Sequence, residues 1–404
     1  MKNKIVFLCA TLWCTNILPS VAAPQQNQKQ RFNPDISLIL DGRYGDYSNT
    51  SDYELPGFML GGEASRGEQG FHIGHNELVM SANIDDMFFG KLTTAIAEHE
   101  GETEVELEEA YIETLAIGHG LTVRAGRFFS DIGYINNQHG HAQDFSDAPL
   151  IYRGLFGNQL IDDGLHIGWL APTDLYFKLG AEFTRGERYP AGGASNKGKG
   201  AKTFFAKFGG DIGVSHAWQL GFSHWKAEID GRNAATHNDG GTTEIPSFAG
   251  DSDVNGIDFV YKWAPNGNNR ERNLKVQLEY FERDEAGTVT LLNSSPLETS
   301  TYQGKQSGWY LQAVYQFMPR WRIGYRYDQL KANNTGSDIT VLGEAGLDDE
   351  GHTPKRSTIM LDYSHSEYSR IRLQYAKDDS YEDSDNLLFV QFLVSLGAHG
   401  AHRF

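Results

Sequence analysis

Cysteine is almost missing from this sequence: two of 404 residues, Cys9 and Cys14. Both fall in a stretch that reads as a secretory signal. Lys2 and Lys4 supply a positive start, residues 5–18 are largely apolar, Pro19 breaks the run, and Ser20 and Ala22 place small residues for cleavage after Ala22. The part after the signal then holds no cysteine, which excludes a disulfide scaffold, a thiolate-ligated zinc and a thiol nucleophile. Proline is scarce at 12 residues, and no apolar run of transmembrane-helix length follows the signal. Basic residues are also short: 35 Lys and Arg stand against 53 Asp and Glu. Without Lys/Arg clusters there is no footing for phosphate backbones, so nucleic acid is not an expected partner. No Gly-rich phosphate loop and no local catalytic signature is present, so an enzyme is not expected either.

Aromatic residues and glycine are abundant, at 12% of the chain and 45 residues. Apolar residues alternate with polar ones at period two from end to end, the pattern of strands with two unlike faces. In residues 36–44, Ile36, Leu38, Leu40, Gly42 and Tyr44 oppose Ser37, Asp41 and Arg43. In residues 175–184, Leu175, Phe177, Leu179 and Phe183 oppose Lys178, Glu182 and Thr184; in residues 321–328, Trp321, Ile323, Tyr325 and Tyr327 oppose Arg322, Arg326 and Asp328. Sixteen such segments are expected between residues 34 and 396. Their links alternate in length: short ones such as 85–88, 116–119, 213–216 and 318–320 interleave with mostly long, polar ones at 45–70, 129–162, 186–202, 230–252, 284–306 and 331–356. The pattern predicts an all-β fold, a transmembrane antiparallel up-and-down β-barrel of about 16 strands with short periplasmic turns and long extracellular loops. The expected organisation is a signal peptide at 1–22, a tail at 23–33 and one barrel over 34–404. Leu388, Val390, Phe392, Val394 and Leu396 share a parity that continues to Phe404, an ending suited to the barrel-assembly machinery.

Four strings resemble a known family: residues 105–113 (VELEEAYIE), 127–134 (RFFSDIGY), 147–153 (DAPLIYR) and 321–327 (WRIGYRY). They are similar to proteobacterial outer-membrane porin-like proteins, some labelled zinc-regulated and some TonB-dependent receptors, with a more distant similarity to phosphate-selective porins. The resemblance implies an outer-membrane channel, possible zinc dependence of its supply and, by analogy, a homotrimer in outer-membrane lipid. A receptor needs a plug domain, and the nine residues of 23–31 leave no room for one.

Residues 129–162 form the longest link and are expected to fold into the lumen as a constriction loop carrying Asp131, Asp144, Asp147 and Asp162. Inward faces would set Arg43, Lys91, Arg124, Lys178, Lys207, Lys262, Lys275, Arg322, Arg326 and Arg372 against it, a transverse field that filters small hydrophilic solutes or ions. Glu104, Glu106 and Glu108 share a strand face and cannot all face lipid; a bulge would turn Glu109 and Glu113 to the lumen, whereas Glu100, Glu102 and Glu104 suit a hairpin end in water. His139 and His141 with Asp144 or Asp147 offer nitrogen and oxygen ligands for zinc; His352 beside Asp348, Asp349 and Glu350, and the pair His399 and His402, are weaker candidates. Two functions follow: a porin for passive diffusion, or a barrel scaffold presenting acidic, histidine-bearing metal-binding loops at the cell surface.

Overall fold

Alternation becomes extended strand along most of the chain. The structure, a computed structural model, describes residues 34–49, 54–99, 102–192, 200–234, 237–239, 242–381 and 383–398. The expected signal, the tail, Glu100, His399, His402 and Phe404 lie outside the described residues. The first half of the chain supplies β1 (Asp35–Tyr47), β2 (Gly70–Ile73), β3 (Asn76–Asn83), β4 (Phe88–His99), β5 (Glu102–Thr114), β6 (Leu121–Phe129), β7 (Ile161–Leu170), β8 (Tyr176–Thr184), β9 (Ala201–Ile212) and β10 (His216–Asn233). The second half supplies a small hairpin, β11 (His237–Asp239) and β12 (Thr242–Glu244), and then β13 (Pro246–Trp263), β14 (Asn273–Leu291), β15 (Glu298–Met318), β16 (Trp321–Gly336), β17 (Lys355–Ser366), β18 (Ser369–Asp379) and β19 (Asp385–Gly397). Each stave pairs antiparallel with the next. β1 pairs with β3 on one side and β19 on the other, which closes the sheet. β2 and β3 both lie along β1 and make one stave, so the barrel has sixteen.

The outer face carries a lipid belt whose upper edge can be read from the register. Phe222, Ile257, Tyr280 and Trp309 lie directly across from one another on four successive staves. Two residues farther out, His224, Asn255, Glu282 and Ser307 form the next row. Apolar side chains below and polar ones above mark where hydrocarbon ends. Trp309 contacts Tyr327 on this edge (ring centroids 5.4 Å apart), and Trp321 contacts Tyr363 (4.8 Å) at the other end of the belt, as interfacial aromatic girdles do.

The link lengths follow the expected alternation with two corrections. Residues 284–306 are not a long loop: β14 runs to Leu291 and β15 starts at Glu298. The same holds for much of 230–252, where β10 reaches Asn233 and β13 starts at Pro246. Above the belt, water replaces lipid outside, so the alternation inverts. Asp284, Thr288 and Lys305 face out while Val289, Leu291 and Tyr302 are buried within. An inverted alternation reads as polar loop when only lipid-facing strands are sought.

Those inward apolar residues need something to pack on, and the outer links provide it. Leu55, Phe58 and Met59 from the first link, the helix α1 (Leu150–Phe156) from the third, and Val341, Leu342 and Leu347 from the link holding α2 (Ile339–Glu344) form one cluster with Trp225, Phe248, Phe281, Tyr302, Tyr310 and Leu330 of the wall. Every residue of α1 is buried, which suits a helix apolar nearly all round.

Candidate functional site

The link between β6 and β7, residues 130–160, is a closed loop lying against the inner wall. Asn136 ties its ends: its side-chain amide donates to the carbonyls of Ser130 (2.8 Å) and Leu160 (2.9 Å), and its oxygen accepts from the Leu160 amide (2.7 Å). A loop inside a barrel cannot leave amides unsatisfied, and wall carboxylates take them up. Glu182 accepts from the Ser130 hydroxyl and the Asp131 amide (2.5 and 2.8 Å); Glu279 accepts from the amides of Tyr134 and Ile135 (2.9 and 3.2 Å) and from the hydroxyls of Tyr152 and Tyr310 (2.7 and 2.5 Å). Gly133, at φ 60°, passes so near Glu279 that a Cβ would collide with its carboxylate.

Three of the four expected loop carboxylates meet expected wall cations, but in direct contact rather than across a gap. Asp131 pairs with Lys178 at 2.6 Å and Asp144 with Lys275 and with Arg322 (2.9 Å). Asp147 bridges Arg326 at 3.0 Å and Arg356 at 2.7 Å, and accepts from Gln374 at 2.6 Å. Burial alone would raise the Asp144 and Asp147 carboxyls; Lys275 and Arg322 for the first, Arg326 and Arg356 for the second, hold them well below the usual carboxylate range. Asp162 is the exception: it belongs to β7 and accepts from the amides of Asp163 (2.8 Å) and Gly186 (2.6 Å).

Among the remaining basic positions, Lys207 donates to the Gly133 carbonyl (2.8 Å) and Arg372 to the Gln143 carbonyl (3.2 Å). Arg43 pairs with Asp41 (2.6 Å), Lys91 with Glu109 (2.5 Å) and Arg124 with Glu113 (2.7 Å), all on the wall. Lys262 lies across from Lys275 in register. Lys91, Arg124, Lys178, Lys262, Lys275, Arg322 and Arg372 all stand at the short-turn ends of their strands and so ring that end of the lumen. Side chains of Arg43, Lys91, Arg124, Lys178, Lys275 and Arg322 keep 16–28% of their surface exposed, whereas Asp41, Glu109, Asp131 and Asp144 keep 8% or less; Glu113, beside Arg124, keeps 23%. Sequence reasoning missed the buried wall partners Glu279, Arg356, Asp362 and Asp378; for Glu279 its parity with Lys275 and Phe281 was the available signal.

The zinc ligand set expected from the sequence is not brought together. Arginine and lysine engage Asp144 and Asp147, and the carboxylates that face the two histidines come from the wall. His139 Nδ1 is 3.0 Å from Glu77 and 3.4 Å from Glu108, its Nε2 is 2.8 Å from Glu109, and His141 Nδ1 is 2.8 Å from Glu77. Burial disfavours a charge on His139, but these carboxylates raise it well above its ordinary value. Two bulges create the arrangement. Between β2 and β3 the register slips by one residue against β1: Gly42 pairs with Ile73, and Ile39 with Glu77. Phe71 and Ile73 therefore face out while Glu77 is wholly buried inside. In β5, Thr93 pairs with Glu109 and Thr94 with Leu107, so the extra residue Glu108 lets both it and Glu109 point inward. That is the bulge expected from the glutamate run, and Glu113 follows it to the lumen. His352 instead contacts the Asp379 carbonyl (2.9 Å).

No family model matches the chain. An uncharacterized protein of Aquifex aeolicus is 31% identical over 404 residues, covering 93% of this chain and 81% of that protein. The chain belongs to its family. Solved barrels resemble it in fold: OmpT of Vibrio cholerae in a trimer form (TM-score 0.54, 8% identity, 90% of this chain and 99% of that one), the outer-membrane channel DcaP of Acinetobacter baumannii (0.51, 10%, 90% and 97%) and OprB of Pseudomonas putida (0.51, 13%, 90% and 94%). The fold is thus that of sixteen-stave outer-membrane barrels, and the belt described above fits it to a bilayer.

Proposed function

We propose that this protein is an outer-membrane porin through which small hydrophilic solutes and ions diffuse passively, with anions favoured. The supporting observation is an asymmetry of exposure at the short-turn end of the lumen: Lys91, Lys178, Lys275 and Arg322 reach water while their partners Glu109, Asp131 and Asp144 are covered, Glu113 beside Arg124 being the exception. The test is single-channel recording in a planar bilayer under a potassium chloride gradient. Discrete conductance with an anion-selective reversal potential is expected, and Arg124→Gln with Lys178→Gln should shift that potential toward cations. Absence of any conductance would favour the surface scaffold instead, a reading supported by the apolar core that the outer links build within the upper barrel. Resemblance adds a link to zinc supply, tested by whether synthesis rises when zinc is withheld. A homotrimer, and assembly through a last strand that ends at Phe404, belong to the same proposal; cross-linking in native membranes tests the first and truncation of the terminal residue the second.

A further inference from the structure

Two strand bulges, placed side by side on neighbouring parts of the wall, converge on one point, and the third outer link brings a histidine to it. Bulges of this kind re-aim side chains and persist where the re-aimed group has work. Here they aim Glu77 and Glu108, with His75 beside them; one donor atom of each lies within 4.8 Å of the others. His75 Nδ1 is 3.9 Å from Glu77 Oε1 and 3.6 Å from Glu108 Oε1; His139 Nδ1 meets the other oxygens of the same two carboxylates, 3.0 Å from Glu77 Oε2 and 3.4 Å from Glu108 Oε2. A tetrahedron of nitrogen and oxygen ligands at metal bonds of about 2.0–2.2 Å has edges of roughly 3.3–3.6 Å. The spacings run from 3.0 to 3.9 Å, on either side of that range, with one imidazole at each oxygen edge of the carboxylate pair.

Hydrogen bonding does not explain the cluster. Glu77 Oε2, Glu108 Oε2 and His139 Nδ1 are buried and have no hydrogen-bond partner, although His139 Nδ1 lies 3.0 and 3.4 Å from the two oxygens. Buried polar atoms left in this way are rare. Glu109 and Lys91 both meet the other face of His139, at 2.8 and 3.3 Å from Nε2; in the tautomer whose Nε2 proton is donated to Glu109, the Nδ1 lone pair is aimed at Glu77 and Glu108. A carboxylate holding the far nitrogen of a ligating imidazole is the usual outer support of a metal site. Charge points the same way, since Lys91 neutralises Glu109 and no Lys or Arg is paired with Glu77 or Glu108 among the described residues' ion pairs.

We propose that His75, Glu77, Glu108 and His139 bind one divalent first-row transition-metal ion, with Glu109 as the positioning residue for His139. Two imidazoles and two carboxylates are a borderline nitrogen–oxygen set, suited to zinc or its neighbours rather than to calcium or magnesium. The ion would join two wall strands to the third outer link. This site stands independently of solute passage.

The full-length mature protein, refolded in detergent and stripped with chelator, is titrated with zinc chloride by calorimetry. One zinc per chain is expected, with affinity reduced at least tenfold in His75→Ala and in Glu108→Gln and unchanged in His224→Ala, a control on the outer face. Folding of each variant is checked by its heat-dependent shift on a gel. Should a variant fail to fold, X-ray absorption of the zinc-loaded parent protein decides: two imidazoles with oxygen ligands are expected. No zinc uptake by the parent, unchanged affinity in both folded variants, or a spectrum without two imidazoles would overturn the site and leave His139 as an imidazolium held by carboxylates.

Discussion

Asp147 is the residue on which docking of the third outer link most depends. Its carboxylate is shared by Arg326 and Arg356, whose side chains are 1% and 0% exposed. Around it Arg153, Arg326 and Arg356 face Asp147, Asp328 and Asp378, three charges of each sign. Asp147→Asn keeps the shape and removes one charge, leaving a buried excess of one cation. Breaking a buried pair in this way costs about 3–5 kcal/mol, against about 0–1 kcal/mol for an exposed one. Because Leu150 donates to Asp328 and Ser146 to Gln374 in the same network, the loss should appear locally. Amide exchange over residues 146–156 should accelerate by roughly two to three and a half decades, at about 1.4 kcal/mol per decade. The pH dependence has a definite sign. Burial would raise Asp147, but the arginines hold it below its unfolded value, so its contribution is complete above roughly pH 4 and is lost as pH falls through the lower folded value. The variant should lack that acid-sensitive component. Exchange within threefold of the parent protein, with an unchanged unfolding midpoint, would refute the claim that this carboxylate is a buried anchor.

Three further outcomes are expected. Excising residues 134–158, with the ends that Asn136 now ties rejoined by a short Gly-Ser linker, should raise single-channel conductance; an unchanged value in a folded barrel would remove the link from the conduction path. Leu278→Arg, on the lipid face of β14, should cost about 2–4 kcal/mol in a bilayer, whereas Thr288→Arg, beyond the belt on the same strand, should stay within roughly 0.5 kcal/mol; equal effects measured by denaturant titration in vesicles would misplace the belt edge. Circular dichroism of the refolded protein should show β structure dominating, and a helix-dominated spectrum would contradict the barrel.

The belt and the strand order were legible because lipid enforces period two along the strands between bulges: Leu175, Leu179 and Phe183 face out, and Glu182 is buried, as the alternation demands. Legibility ended where the solvent changed. On β14, Tyr280 and Asp284 face the same side, one toward lipid and one toward water, so a single template cannot recognise the whole strand. The cations of the lumen were readable from parity, as Lys178 and Arg322 show, and so were the loop carboxylates Asp131 and Asp144 set against them, but the direct contact and the buried wall partners such as Asp362 were not. Asp144 looked like a neighbour for His141 at three residues' distance, yet two cations from distant strands claim it. The metal candidate was hidden for a related reason: Glu77 and Glu108 share a site only because each of two strands carries one extra residue, and an extra residue leaves little trace in composition.

The proposed anion selectivity runs against the net charge of the chain. The whole chain carries a formal charge of −18, yet most of the ion-paired side chains that reach water at the short-turn end of the lumen are cationic, Lys178 and Arg322 among them, with Glu113 the exception. The reason is geometric. A loop packed inside a barrel presents backbone amides that must find acceptors, and a carboxylate offers two oxygens on a short stem, so Glu182 and Glu279 are drawn against the loop and out of water. Lysine and arginine have long stems that reach past a buried partner and keep the charged end wet. Lys178 does so above Asp131, and Arg322 above Asp144. Packing the link into the lumen therefore consumes negative surface faster than positive surface. On the proposed path an ion entering from the short-turn side would meet the cations first, and the acidic excess of the chain lies elsewhere, on faces such as Asp251, Asp284 and Glu282 that rise from the membrane into water.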